Sequence, residues 1–305
     1  MKKLSVTFNG TTDTTGYLFS FAKCLSAALR CGGLTEDAED IVAASGFAFR
    51  MWVNGESLCP SATSIWDFKM QKAWVENGGF SCDYIQRLWG EDALEKERRE
   101  GAIAIIKKSI DAGMAAIAWD LSGGEWGLAI GYDEETKILS TLRINGKEAE
   151  IPYEALGNLE IPILSVLAVG GKTEKKKTEI VADTKKIAAD HLLGKEWCDN
   201  AKGLAAYDAL CEFISEKYTD DVSWNLDYYL GTYAALKWYA WQFFEKYNEK
   251  ELAALYHEIH LAWQKAFELK RKKNMDEAKK SELLEQLTLA KKLEHEALKK
   301  MLDRA

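Results

Sequence analysis

Apolar positions recur along this chain at two spacings, and the change between them divides its first half. Up to Gly113 the spacing is three and four residues, as in helices that bury one face. "YLFSFAKCLSAALRC" predicts a helix over 17–31, closed by Gly32 and Gly33, which suit the left-handed backbone of a C-terminal cap. "LTEDAED" places Thr35 as the N-cap of a second helix with acidic residues in its first turn. A short strand is expected over 4–8 and helices over 64–76 and 92–112. "GFAFRMWVNGESLCPSATS", broken by Gly and Pro, reads as a strand or extended loop. After Gly113 the spacing falls to two. "MAAIAWD", "EWGLAIGYD", "KILSTLRI" and "IPILSVLAV" then predict successive strands of an antiparallel meander. Helices followed by such a sheet predict an α+β domain.

"GGKTEKKKTE" is a charged run without apolar periodicity and reads as a linker. Beyond it only helices are predicted, over 179–193, 200–218, 223–247, 250–273 and 276–302. The expected organisation is an α+β domain over 1–170 followed by an all-α helical bundle over 178–305. The last helix sets Leu283, Leu287, Ala290, Leu293 or Glu294, Ala297 and Met301 along one face. "SWNLDYYLGTYAALKWYAWQFFEKY" is apolar on nearly every face, and its stretch from Leu226 to Phe244 is long enough to raise a membrane span. Asp227, Lys237 and Gln242 interrupt that stretch, so it reads as the buried centre of the bundle or as the wall of an apolar ligand pocket.

Charge narrows the partners. The net charge is −8, and residues 1–170 carry all of it, with 16 Lys and Arg against 24 Asp and Glu. An acidic first half without a basic stripe argues against nucleic acid. The apolar run after "MKK" ends at Phe8, too short for an export signal. Six scattered cysteines, with no C-x-x-C pair, suit reduced thiols in a cytoplasm better than disulfides or a zinc cluster. "YHEIHLAW" sets His257 and His260 three apart on a helix, which is not the zincin spacing, so no metal or cofactor is expected.

Several stretches, in order, resemble one family. "KCLSAALRCGG" is similar to the start of the central helix in papain-like C39 peptidases, and "EWGLAIGYDEETK" to their strand ending in Gly-Tyr-Asp. With "SGFAFRMWV", "CPSATSIWDF" and a helix ending in "DAG", the pattern over 10–170 looks closest to the butirosin-biosynthesis H-type N-terminal domain and to bacterial C39-like proteins. The resemblance implies a papain-like fold with Cys24 at the nucleophile position. The family's histidine, six residues before the Gly of Gly-Tyr-Asp, is replaced by Glu125; its oxyanion glutamine falls on Leu18; its Asp-Pro partner has no counterpart in "STLRINGKEAEIP". A carboxylate with a pKa of about 4 is too weak a base for the thiol, and its charge raises the thiol's pKa. All four histidines, His191, His257, His260 and His295, belong to the second half.

Two function classes follow, with a third behind them. In one, the protein has lost peptidase chemistry and binds a small molecule or peptide between the Cys24 helix and the Glu125 strand. There Asp120 and Glu125, facing each other across the "LSGG" hairpin, read as two solvated carboxylates at a sheet end, as an acidic site that grips an amine, or as a pair in which one acid of raised pKa shuttles a proton. In the other, Cys24 transfers an acyl group from a carrier thioester to an amine near Glu125. The third is a structural role assembled through the C-terminal helices. Trp119, Trp126 and Cys59 are candidates to line the site, with core packing as the alternative for each; for Cys24 the alternative is a buried structural thiol, which the neighbouring Ala27 and Ala28 suit.

Overall fold

The computed structural model describes residues 1–271 and 275–303. In chain order the elements are β1 (Lys2–Lys3), α1 (Ser20–Cys31), α2 (Asp40–Ala44), β2 (Trp52–Val53), α3 (Met70–Asn77), β3 (Phe80–Arg87) and α4 (Glu95–Asp111). Then follow β4 (Ala116–Ala118), β5 (Gly127–Asp133), β6 (Ile138–Leu142), β7 (Glu148–Pro152), β8 (Leu164–Lys172) and α5 (Lys177–Leu192). The chain ends with β9 (Ala201–Lys202), α6 (Leu204–Glu212), α7 (Ser223–Lys246), α8 (Lys250–Arg271) and α9 (Glu277–Leu302). These elements pack as two compact units that alternate along the sequence: 1–12, 20–45 and 68–176 form one, and 13–19, 46–67 and 177–305 the other.

The first unit is an α+β layer structure. Its antiparallel sheet runs β3-β8-β4-β5-β6-β7, with β1 paired to β5. The meander expected from the alternation holds for β4 to β7, but β8 returns to lie between β4 and β3. Ala116, Ala118, Ala129, Val166 and Ala168 turn one sheet face toward Ala102, Ile106 and Ile110 of α4. Alternation sends Ile117, Leu128 and Leu167 to the opposite face, and α1 packs on β4 and β5 without joining the α4 cluster. β3 and β7 are strands that the pattern did not predict: "FSCDYIQR" alternates weakly, and "EAEIP" is mostly polar.

Several predicted boundaries move. The strand expected over 4–8 is confined to Lys2–Lys3, with the Leu4 N–H donating to the Ile130 carbonyl at 2.8 Å. Thr35 caps no helix: residues 35–39 turn, and α2 starts only at Asp40, with Glu39 at its N-cap. The helix expected over 64–76 becomes α3, starting six residues later at Met70. The linker shrinks to 173–176, because β8 extends to Lys172 and α5 begins at Lys177.

The second unit is helical, with one short strand pair, β2 with β9. α7 is its centre, with Tyr229, Leu230, Tyr233, Ala234, Ala240 and Phe244 at most 1% exposed. No helix among the described residues is long and apolar enough to cross a membrane. Gly231 of α7 is needed where Tyr17 packs, since a Cβ there would lie 2.7 Å from the Tyr17 ring. α9 buries Leu283, Leu287, Ala290, Glu294, Ala297 and Met301, so the acidic member of the predicted face, Glu294, is the one turned inward. Its carboxylate meets the Lys237 ammonium of α7 at 2.6 Å, both side chains wholly buried. Positions 272 and 273 of the helix expected over 250–273 lie outside the described residues.

Candidate functional site

The site expected from the sequence is built around the start of α1, and that start is set by polar groups. Apolar periodicity runs unbroken from Tyr17, yet the helix begins at Ser20. Upstream, the Asp13 carboxylate accepts from the Gly16 and Leu18 N–H groups at 2.8 and 3.1 Å. The Thr232 hydroxyl donates to the Tyr17 carbonyl at 2.9 Å. These bonds hold the backbone of 16–18 in a loop ahead of the helix. Residues 17–19 therefore pack in the second unit, and α1 opens the next segment of the first.

Ser20, not Cys24, thus stands in the first turn of α1. Its hydroxyl, 2% exposed, donates a short hydrogen bond to Glu125 Oε2. Cys24 lies one turn further along, wholly buried among Ala22, Leu25, Ala27 and Ala28. Burial, reinforced by the Glu125 charge and only partly offset by Lys23, pushes the Cys24 thiol far above its ordinary value. A neutral, enclosed thiol is no nucleophile.

Glu125 is half-buried in the turn that leads into β5, where Gly123 and Gly124 supply φ values of +69° and +72°. Asp120 does not oppose it across a ladder: β4 ends at Ala118 and β5 begins at Gly127, so both carboxylates lie in the connection. Asp120 has a left-handed backbone, φ +61°, and is 4% exposed. Its carboxylate accepts from the Gly124 N–H at 2.6 Å and the Ile161 N–H at 2.8 Å. This residue clamps two loops together, and no open acidic pair forms.

The two tryptophans close a core cluster. Trp126 is 0% exposed and packs edge-on to Phe21 at 4.8 Å and Trp119 at 5.1 Å, with Phe68 at 5.5 Å. Neither ring is placed as a solvent-facing wall. Cys59 belongs to the second unit rather than to the one holding Cys24 and Glu125; its thiol lies 2.9 Å from the Ser61 hydroxyl.

The histidines all fall in the second unit, and two of them, His191 and His260, are held by hydrogen bonds. The Met51 N–H donates to His191 Nε2 at 2.7 Å, which places the ring proton on Nδ1, 2.8 Å from Glu196 Oε2. Burial lowers the His191 pKa despite the Glu196 carboxylate. Arg50, wholly buried, grips Glu196 through Nε and Nη2 at 2.7–3.0 Å. Burial alone would raise the Glu196 pKa, but Arg50 and His191 hold it at about 2. His260 Nδ1 contacts the Ala234 carbonyl at 3.1 Å, and Trp241 packs against His257 at 4.2 Å and His260 at 5.9 Å. Among the described residues no three His, Cys, Asp or Glu side chains gather as metal ligands.

Sequence reasoning missed Ser20. The one signal was a small polar residue inside "YLFSFAK", a type that favours helix starts, and an uninterrupted apolar period masked it. No protein-family model matches the chain, and no curated protein matches it. The likeness to C39-like proteins rests on the order of the quoted motifs.

Proposed function

We propose that this chain is a catalytically degenerate protein of papain-like type, which binds a small molecule or peptide through the region where α1 meets the β4–β5 connection and does not cleave it. One observation carries the reading. A hydroxyl and a carboxylate, Ser20 and Glu125, form the pair at the helix start where a thiol–imidazole pair would be needed. A serine hydroxyl is a far weaker acid than a thiol, and a carboxylate cannot draw its proton near neutral pH. Glu125 remains a strong acceptor, able to exchange the Ser20 hydroxyl for a ligand's ammonium or amide N–H. Burial of Cys24 speaks against the acyl-transfer alternative, because a thioester needs that sulfur exposed and ionised.

The test has two parts. Peptide mapping after brief iodoacetamide treatment should leave Cys24 unmodified in the folded protein and alkylate it in urea. Titration with a panel of primary amines and amine-terminated peptides should show binding that Glu125→Gln weakens about tenfold. Rapid alkylation of native Cys24, or proteolysis abolished by that alkylation, would overturn the reading; so would equal amine affinity in both forms.

A further inference from the structure

The most unusual cation of the first unit is Arg98 on α4. Most of its neighbours in charge are paired: Arg99 with Glu95, Lys107 with Glu134, and Lys108 with Asp83 at 2.6 Å. Arg98 makes no ion pair or hydrogen bond with any described residue, although its Nε is buried from solvent. A buried donor without an acceptor is destabilising, so such a group in a folded protein calls for an explanation.

Arg98 lines a cavity of about 340 Å³ together with Lys69, Lys72, Tyr84, Ile85, Gln86 and Glu91. The cavity sits at the margin of the sheet, because β3, which supplies three consecutive lining residues, is the end strand. Tyr84 and Gln86 belong to one face of that strand and Ile85 to the other. Lys69 and Lys72 come from the start of α3, and Arg98 from the first half of α4. Three cations therefore line it against one carboxylate, Glu91, whose Oε2 accepts the Leu88 N–H at 2.8 Å. Among the described residues Lys72 pairs with Glu76, at a loose 3.7 Å. The Tyr84 hydroxyl donates to Gln86 Oε1 at 2.9 Å and lies 3.1 Å from the Ser165 hydroxyl, a chain continued by Gln71 at 3.4 Å. Gln71 is wholly buried, and its Nε2 has no acceptor.

We propose that this cavity binds a small organic polyanion, a molecule bearing two or more carboxylate or phosphate groups. One acidic group would be held by the Arg98 guanidinium, whose planar fork matches two oxygens at once, with the Lys72 and Lys69 ammonium groups beside it. Its volume lies at the lower end of small-molecule sites. Three cations gathered at one place do not make the track that a nucleic-acid backbone requires. The site shares no residue with the Ser20–Glu125 pair and stands independently of it.

Isothermal titration of the full chain at low salt, where such contacts are least screened, provides the test. Citrate and pyrophosphate represent the carboxylate and phosphate sources, succinate a shorter diacid, and glycerol the uncharged control. At least one acid should bind saturably at one site per chain, and the stronger of citrate and pyrophosphate identifies the source. Arg98→Gln should weaken that binding about tenfold or more, and Lys72→Gln by about threefold to tenfold. Lys108→Gln, which removes a cation outside the cavity, and Glu125→Gln should leave it unchanged. Circular dichroism of each variant separates a lost site from a lost fold; were Arg98→Gln unfolded, Arg98→Lys, which keeps the charge without the fork, should still weaken binding. No saturable binding of any acid up to about 10 mM, equal affinity in wild type and Arg98→Gln, or binding only of a glutamate-rich peptide would overturn the proposal.

Discussion

Replacing Glu294 by leucine strands a charge in the middle of the helical unit. The Lys237 ammonium and Glu294 carboxylate meet at 2.6 Å with neither side chain exposed. Burial, with the Glu294 charge added, also holds the Tyr207 and Tyr256 phenols well above their ordinary value, which marks both as near neighbours of the pair. Removing one member of a buried pair leaves an uncompensated ion and costs about 3–5 kcal/mol, whereas replacing both by apolar groups is often neutral or stabilising by about 1–4 kcal/mol. Glu294→Leu should therefore destabilise the protein by about 3–5 kcal/mol, and the double variant Lys237→Met, Glu294→Leu should regain most of that loss. Urea unfolding followed by tryptophan fluorescence reads both. With a slope of about 2 kcal/mol per molar, the single variant's midpoint falls by about 1.5–2.5 M. Two compact units make separate transitions a possibility to check, so hydrogen exchange in α7 and α9 should accompany the melt. A loss below about 1 kcal/mol in Glu294→Leu, or a double variant no better than the single, would refute the reasoning.

Two further predictions follow from the same kind of accounting. His191 is buried neutral with its pKa lowered from 6.5, so the unfolded chain binds its proton first as pH falls. Its contribution to stability is complete above about pH 6.5 and lost on acidification through the lower folded value, so His191→Gln should flatten urea midpoints measured between pH 7 and 5. Glu196, held at about 2 against an ordinary 4.5, adds a second loss, confined to pH below 4.5. Asp120→Ala removes the acceptor of two loop N–H groups and should cost about 2–4 kcal/mol, with faster hydrogen exchange at Gly124 and Ile161; Asp120→Asn, which keeps one oxygen, should lose less. Unchanged exchange at both amides in Asp120→Ala would contradict the clamp.

How far the sequence could be read depended on whether a segment's partners were local. β4, β5, β6 and β8 were legible because each is a short, almost continuously buried apolar run, and α7 to α9 because their apolar faces are long. β3 was not: Tyr84 and Gln86 use polar side chains on a strand held mainly by its ladder with β8. The start of α1 was placed three residues early, since nothing in the apolar period records that Asp13 and Thr232 take the backbone groups before it. Cys24 stands a full turn inside α1, wholly buried, while Ser20 opens the helix and bonds Glu125.

Periodicity, composition and the distribution of cysteines and histidines were enough to determine an α+β region with an antiparallel sheet, a helical C-terminal region, and the confinement of every imidazole to the latter. These properties come from each residue's own hydropathy and charge, summed over windows of one element. Tertiary structure alone decided that 13–19 and 46–67 pack with the helices, that Asp120 serves as a loop clamp, that Glu294 answers Lys237, and that Arg98 faces a cavity without a partner. The clamp from Asp120 to Ile161 and the Lys237–Glu294 pair depend on groups far apart in sequence meeting within a few ångströms, where hydrogen bonding and desolvation outweigh local preference.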